Sequence, residues 1–188
     1  MNKIITIRDI AGLCPEEAVW KMMADVSAIL NKDEADYYLT PDAIIVDGST
    51  FIVESNHKTE SEYLAPEQHE SQQSGKQQII WSLGAIAYYM VTGHIIFGGH
   101  GGCYQKNHPS VPLPVLPKGK HTLTDVLHKC ICCNPERRIT LDELSALTLK
   151  GFTTLKKRQC KTLNRPHKEI ETVIKNSGDK WPEEMIGI

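Results

Sequence analysis

Aromatic side chains, long apolar runs and a dominant charge sign are all scarce in this chain. Of its 188 residues only three are Trp, six Tyr and three Phe, so the core must rest mainly on aliphatic packing. No apolar stretch reaches the roughly 20 residues that a membrane-spanning helix needs. The opening Met1-Asn-Lys, a short apolar run and then Arg8-Asp9, does not read as a secretory leader. The expectation is a cytoplasmic chain with no membrane partner. Its 21 basic and 23 acidic residues nearly cancel, unlike a uniformly basic nucleic-acid binder. Six Cys outside a secretory setting read as reduced thiols. His128-Lys-Cys-Ile-Cys-Cys133 lacks the paired spacing of structural zinc, and Gly98-Gly-His-Gly-Gly102 lacks the Lys-Ser/Thr that completes a phosphate loop. Neither a metal nor a cofactor is expected.

What the chain does have is a segment with no charged side chain, residues 77–92, ending at Gly93. Trp81, Leu83, Ile86, Tyr89 and Met90 project in different directions from a helix, and a helix apolar on every side belongs in the middle of a protein. Gly84 costs roughly 1 kcal/mol in a helix interior, so another element is expected to come close there. Gly93 suits a left-handed C-cap.

Around this centre the chain reads as helices with one hairpin. Residues 4–10 are either a strand or the lead-in to a helical turn. Pro15-Glu16-Glu17 opens a helix, with Pro at its start and carboxylates at the positive end of the dipole, and apolar residues recur at helical spacing through Leu30. Two β-rich runs flank Asp47-Gly48, a hairpin signal. Residues 55–76 read as a loop, and residues 97–117 as a long irregular connection. Residues 123–132 read as a helix. Thr140-Leu-Asp-Glu143 is a capping box for another helix through Leu149. Residues 150–168 carry seven basic side chains and no acid, and Pro166 is placed to start a last short helix. The domain reading is 1–150, followed by a basic tail at 151–188 whose short helix packs on the domain or on a partner.

Trp81-Ser-Leu-Gly-Ala-Ile-Ala-Tyr-Tyr-Met-Val-Thr-Gly93 resembles the central helix of the protein-kinase C-terminal lobe. Three further segments match that lobe in order. Leu39-Thr-Pro-Asp-Ala-Ile-Ile-Val46 falls on the catalytic-loop pattern H-R-D-L-K-P-E-N-I-L, and Glu62-Tyr-Leu-Ala-Pro-Glu67 on A-P-E. Asn134-Pro-Glu-Arg-Arg-Ile-Thr-Leu-Asp-Glu-Leu144 falls on the closing D-P-x-x-R-P-T. The resemblance implies a mainly α (α+β) domain: a kinase C-lobe around a buried hydrophobic helix, with a small hairpin and no N-lobe. It also implies a structural ion pair between Glu67 and Arg138. At the phosphate-handling positions the pattern is broken. Tyr38 stands for the catalytic Asp, Ala43 for the metal-binding Asn, and Glu54-Ser55-Asn56 for D-F-G, while Ile79 replaces the Asp that opens the central helix. Phosphoryl transfer uses these groups, so no catalytic residue is assigned and the chain is expected not to be an enzyme.

A lobe of this kind is similar to the kinase non-catalytic C-lobe domain, an interaction module. The resemblance extends loosely to Thr6-Ile-Arg-Asp-Ile10 and Pro15-Glu-Glu-Ala-Val-Trp20. The expected role is therefore a pseudokinase scaffold that binds a protein partner, by analogy through a basic peptide on acidic residues Asp25, Asp33, Glu34 and Asp36. Two alternatives stand beside it: a split kinase half binding nucleotide with another chain, and nucleic-acid binding by the basic tail, the less favoured of the two. Residues 1–75 hold 5 basic against 14 acidic side chains, and residues 76–188 hold 16 against 9. That asymmetry also allows self-association of acidic half with basic tail.

Overall fold

The computed structural model describes residues 4–12, 14–32, 38–54, 59–71, 75–117 and 119–163. Within them the chain is mostly helical with one two-stranded antiparallel sheet, in line with the fold class that the resemblance implied. The opening segment takes both forms left open for it. Ile5 accepts a hydrogen bond from Val46 N (2.8 Å) and Thr6 bridges Ile45 in antiparallel sense. One turn of helix α1 (Ile7–Ile10) follows, closed by the reciprocal Thr6–Asp9 capping box.

Helix α2 (Glu16–Lys32) buries Val19, Trp20, Met22, Met23, Val26 and Leu30, the face predicted from its spacing. Strands β1 (Ile44–Asp47) and β2 (Thr50–Val53) are joined through Gly48 and Ser49, with Ile45 opposite Ile52 and Val46 opposite Phe51. Side chains alternate across the sheet, so Ile44 and Phe51 are buried while Ile45 and Ile52 turn outward.

After the short α3 (Gln68–Ser71), helix α4 (Lys76–Thr92) runs through the core, with Ile80, Trp81, Leu83 and Ile86 fully covered. A Cβ added to Gly84 would lie 2.7 Å from Cys130 Cβ and 2.9 Å from Ile131 Cγ2. The end of helix α6 (His121–Cys130) thus packs directly on α4 where the sequence lacks a side chain. Gly93 closes α4 in the left-handed conformation, its N–H donating to Tyr89 O at 2.8 Å.

Helix α3 already falls within residues 55–76, expected as a loop, and two larger differences from the sequence reading follow. The stretch expected to be irregular contains α5 (Gly101–Asn107). Two glycines at its start lower its intrinsic propensity, and the compensation is tertiary: Gly101 and Gly102 lie flat on the backbone of residues 62–66, where any side chain would collide. Gln105 on α5 then ties the core together, accepting from Trp81 Nε1 (2.9 Å) and donating to Ile131 O (2.8 Å). Helix α7 (Leu141–Leu163) begins at the Thr140–Glu143 capping box and runs well past Leu149. Good helix formers and the absence of Pro carry it on, so the basic residues Lys156, Lys157 and Arg158 are helical. By contact density the chain divides into residues 1–154 and 155–188, and the second unit contributes only the end of α7 to the described residues. The short helix expected from Pro166 lies outside them. Among the described residues no helix is long and apolar enough to cross a membrane.

Candidate functional site

The segment that matches the catalytic loop is built as a tight turn. Thr40 caps a 3-10 turn (Pro41–Ala43), its Oγ1 accepting from Ala43 N. Leu39 and Ala43 are buried beneath it. Ala43 O accepts from Glu54 N at 2.9 Å, which brings the positions of the metal-binding Asn and the D-F-G Asp side by side. They offer a methyl group and one exposed carboxylate. Tyr38 lines a cavity of about 190 Å³ with Thr59, Leu64 and Gln68. Among the described residues no cluster of three or more His, Cys, Asp or Glu is arranged to hold a metal. Cys130, the centre of the Cys-rich stretch, is wholly buried, and burial pushes its thiol up to about 12.

Arg8 braces this turn, a role no sequence signal assigned to it. Its Nε donates to Asp42 (2.8 Å) and its Nη2 to Glu60 (2.5 Å), while Asp42 also accepts from Thr6 Oγ1 (3.3 Å). Burial works against the charge, but the bonds to Glu60 and Asp42 outweigh it and hold the Arg8 pKa above its ordinary value.

Of the four carboxylates expected to meet a partner, Asp33, Glu34 and Asp36 lie outside the described residues. Asp25 is engaged inside the molecule. Both its oxygens accept from Lys21 Nζ (2.6 and 2.5 Å), and Oδ2 also accepts from Phe51 N at 3.1 Å. Val46 and Phe51 form a pair whose N–H groups point away from each other: Val46 N is taken by Ile5, and Phe51 N by Asp25. The carboxylate closes the free edge of β2, which would otherwise expose an unpaired donor. That charge thus has two partners within the chain, Lys21 and the Phe51 amide.

Glu67 and Arg138 meet across 71 residues of sequence. Arg138 Nη1 and Nη2 donate to the two Glu67 oxygens at 2.5 and 2.7 Å. The remaining donors reach Cys132 O (2.7 Å), Cys133 O (3.0 Å) and Gln77 O (3.0 Å). All five guanidinium N–H groups thus have acceptors, and the Arg138 side chain is fully buried. Ser82 adds a further tie, its Oγ donating to Tyr63 O at 2.6 Å. The A-P-E segment, the start of α4 and the loop after α6 are fastened at one point.

The comparisons with known proteins agree with this architecture. The family model described as "Protein kinase domain" matches residues 45–148, more than half of the chain. The chain belongs to the protein kinase family. Among curated relatives, the serine/threonine-protein kinase PLK2 of Mus musculus and that of Rattus norvegicus are each 29% identical over 134 residues. The alignment takes in 66% of this chain and 19% of each relative, so the chain spans about a fifth of their length. These findings correct the expectation that the chain is not an enzyme. Both matches point to a family of kinases. The catalytic-loop segment itself, residues 36–43, precedes the matched span.

Proposed function

We propose that this member of the protein kinase family works as a protein-binding scaffold on a C-lobe framework. The observation that carries this reading is the contrast between two sets of motif positions. Those that brace the lobe, Glu67, Ser82 and Arg138, are all engaged in hydrogen bonds. Those that handle phosphate in the family pattern offer Tyr38, Ala43 and one exposed carboxylate, Glu54. Cytoplasmic, reducing conditions suit its free thiols, among them Cys14, Cys103, Cys132 and Cys133.

We assign the partner surface to the acidic residues Asp33, Glu34 and Asp36. Affinity capture with the intact chain, followed by mass spectrometry, is expected to yield a specific protein that is lost when these three carboxylates are replaced by Lys. Unchanged capture by the reversed variant overturns the placement. Family membership and the retained Glu54 favour a second reading, a kinase half that takes nucleotide together with another chain. Thermal denaturation with ATP and Mg²⁺ separates the two: stabilisation that rises with nucleotide concentration supports the second reading.

A further inference from the structure

The connection from α5 to α6 carries four prolines, Pro109, Pro112, Pro114 and Pro117, and residues 111–116 join neither a helix nor a strand. Proline holds its own φ near −65° and keeps the residue before it out of the helical region. Within 111–117 every residue except Val115 is a proline or precedes one. Such a segment takes the left-handed polyproline course of about three residues per turn. Burial follows that period. Leu113 and Leu116, three apart, face the domain: Leu116 is 5% exposed, and Leu113 lines a cavity with Cys132 and Asn134. Pro112 and Val115 form one outward ridge, with Val115 67% exposed, and Pro114 and Pro117 form the next. Helix α6 fastens the run: His128 Nε2 donates to Pro114 O (2.9 Å), and Thr124 Oγ1 accepts from Leu116 N (3.4 Å).

We propose that residues 111–117 are a preformed polyproline ligand, taken by a partner domain whose groove is lined with Trp and Tyr. This goes beyond the scaffold reading, which assigns a partner to Asp33, Glu34 and Asp36, and stands independently of it. The backbone chemistry selects the occupant. The prolines have no N–H, and the N–H groups of Val111 and Leu116 are taken by His108 O and Thr124 Oγ1. Pairing with a β-strand needs regularly spaced donors and is closed to such a segment. The carbonyls of Pro112, Leu113 and Val115 accept from no group among the described residues. Residues 111–117 also carry no charge, which leaves recognition to these acceptors and to the apolar ridges. A matching surface supplies donors and flat apolar faces together, as the indole of Trp and the phenol of Tyr do. Grooves of this composition take proline-rich segments in the polyproline conformation. Because that conformation is set before contact, little ordering entropy is lost on binding.

The test passes the full-length chain over an array of purified SH3 and WW domains and measures Kd by calorimetry for each domain that retains it. The expected result is saturable binding to at least one of them, lost when the groove Trp of that domain is replaced by Ala. Affinity should fall at least about tenfold for the double variant Pro112→Ser with Val115→Ser. Val115→Lys alone should weaken binding as much while leaving Tm unchanged, because that side chain is exposed. Replacing Asp33, Glu34 and Asp36 by Lys should leave the affinity as it is. Retention by no domain of the array overturns the proposal, as does binding that the ridge variants or the groove Trp replacement leave unchanged. Binding abolished by the reversal of Asp33, Glu34 and Asp36 assigns the contact to those carboxylates and overturns it too. If the ridge fails while that reversal still abolishes partner capture, the ridge is wrong and the scaffold reading stands.

Discussion

The Arg138 junction and the hairpin with its adjoining turn are made from matching kinase motifs, yet they are built in opposite ways. At Arg138 every donor has an acceptor, and the partners come from three separate parts of the chain. At the hairpin the inward face is sealed against the core, but the outward face leaves Ile4 and Ile52 in solvent and Glu54 exposed. A buried charge without partners costs several kcal/mol, so a junction of this kind must be complete for the fold to exist. An exposed face carries no such requirement and is free to diverge. The difference teaches where to look for stability and where to look for recognition in this chain.

The strongest way to break this comparison is Arg138→Met, which leaves the Glu67 carboxylate and three carbonyls without their donor. We expect a loss of about 3–5 kcal/mol in chemical denaturation, and a change below about 1 kcal/mol would mean the junction is ornamental. Next is Gln105→Leu, which leaves the Trp81 indole N–H and the Ile131 carbonyl unpaired in the core at about 1–3 kcal/mol for each orphaned group. Gly84→Ala forces a methyl group against Cys130 and Ile131. Overpacking there should cost about 1–3 kcal/mol, read as a lowered denaturation midpoint with unchanged slope. Asp25→Asn should cost about 1 kcal/mol, since an amide oxygen still accepts from Phe51 N while the Lys21 pair is lost. Smallest of all, Glu54→Gln should leave stability within about 0.5 kcal/mol of the natural chain. A larger loss would show that the hairpin face supports the fold after all.

Much of this was legible from residues alone. The uncharged run of 77–92 could only be an internal helix, and its Gly84 marked a close approach that α6 supplies. The capping box at Thr140 and Glu143 located the start of α7 because it is a local device. The internal partners of Asp25 were not legible for a physical reason: a lone carboxylate on a helix looks solvated in sequence, and its second partner, Phe51 N, is 26 residues away. Helix α5 was missed because two glycines argue against a helix until the backbone of residues 62–66 is laid across them. Arg8 carried no signal at all, since its partners Asp42 and Glu60 lie 34 and 52 residues on.

The sequence by itself determined α2, α4, α6 and the start of α7, the hairpin and which segment must be central, because hydrophobic period and capping chemistry act over a few residues. Only the tertiary structure decided which charges are taken up internally and which apolar face is left bare. Those outcomes depend on carbonyl directions and strand register, which bring together groups that are far apart along the chain.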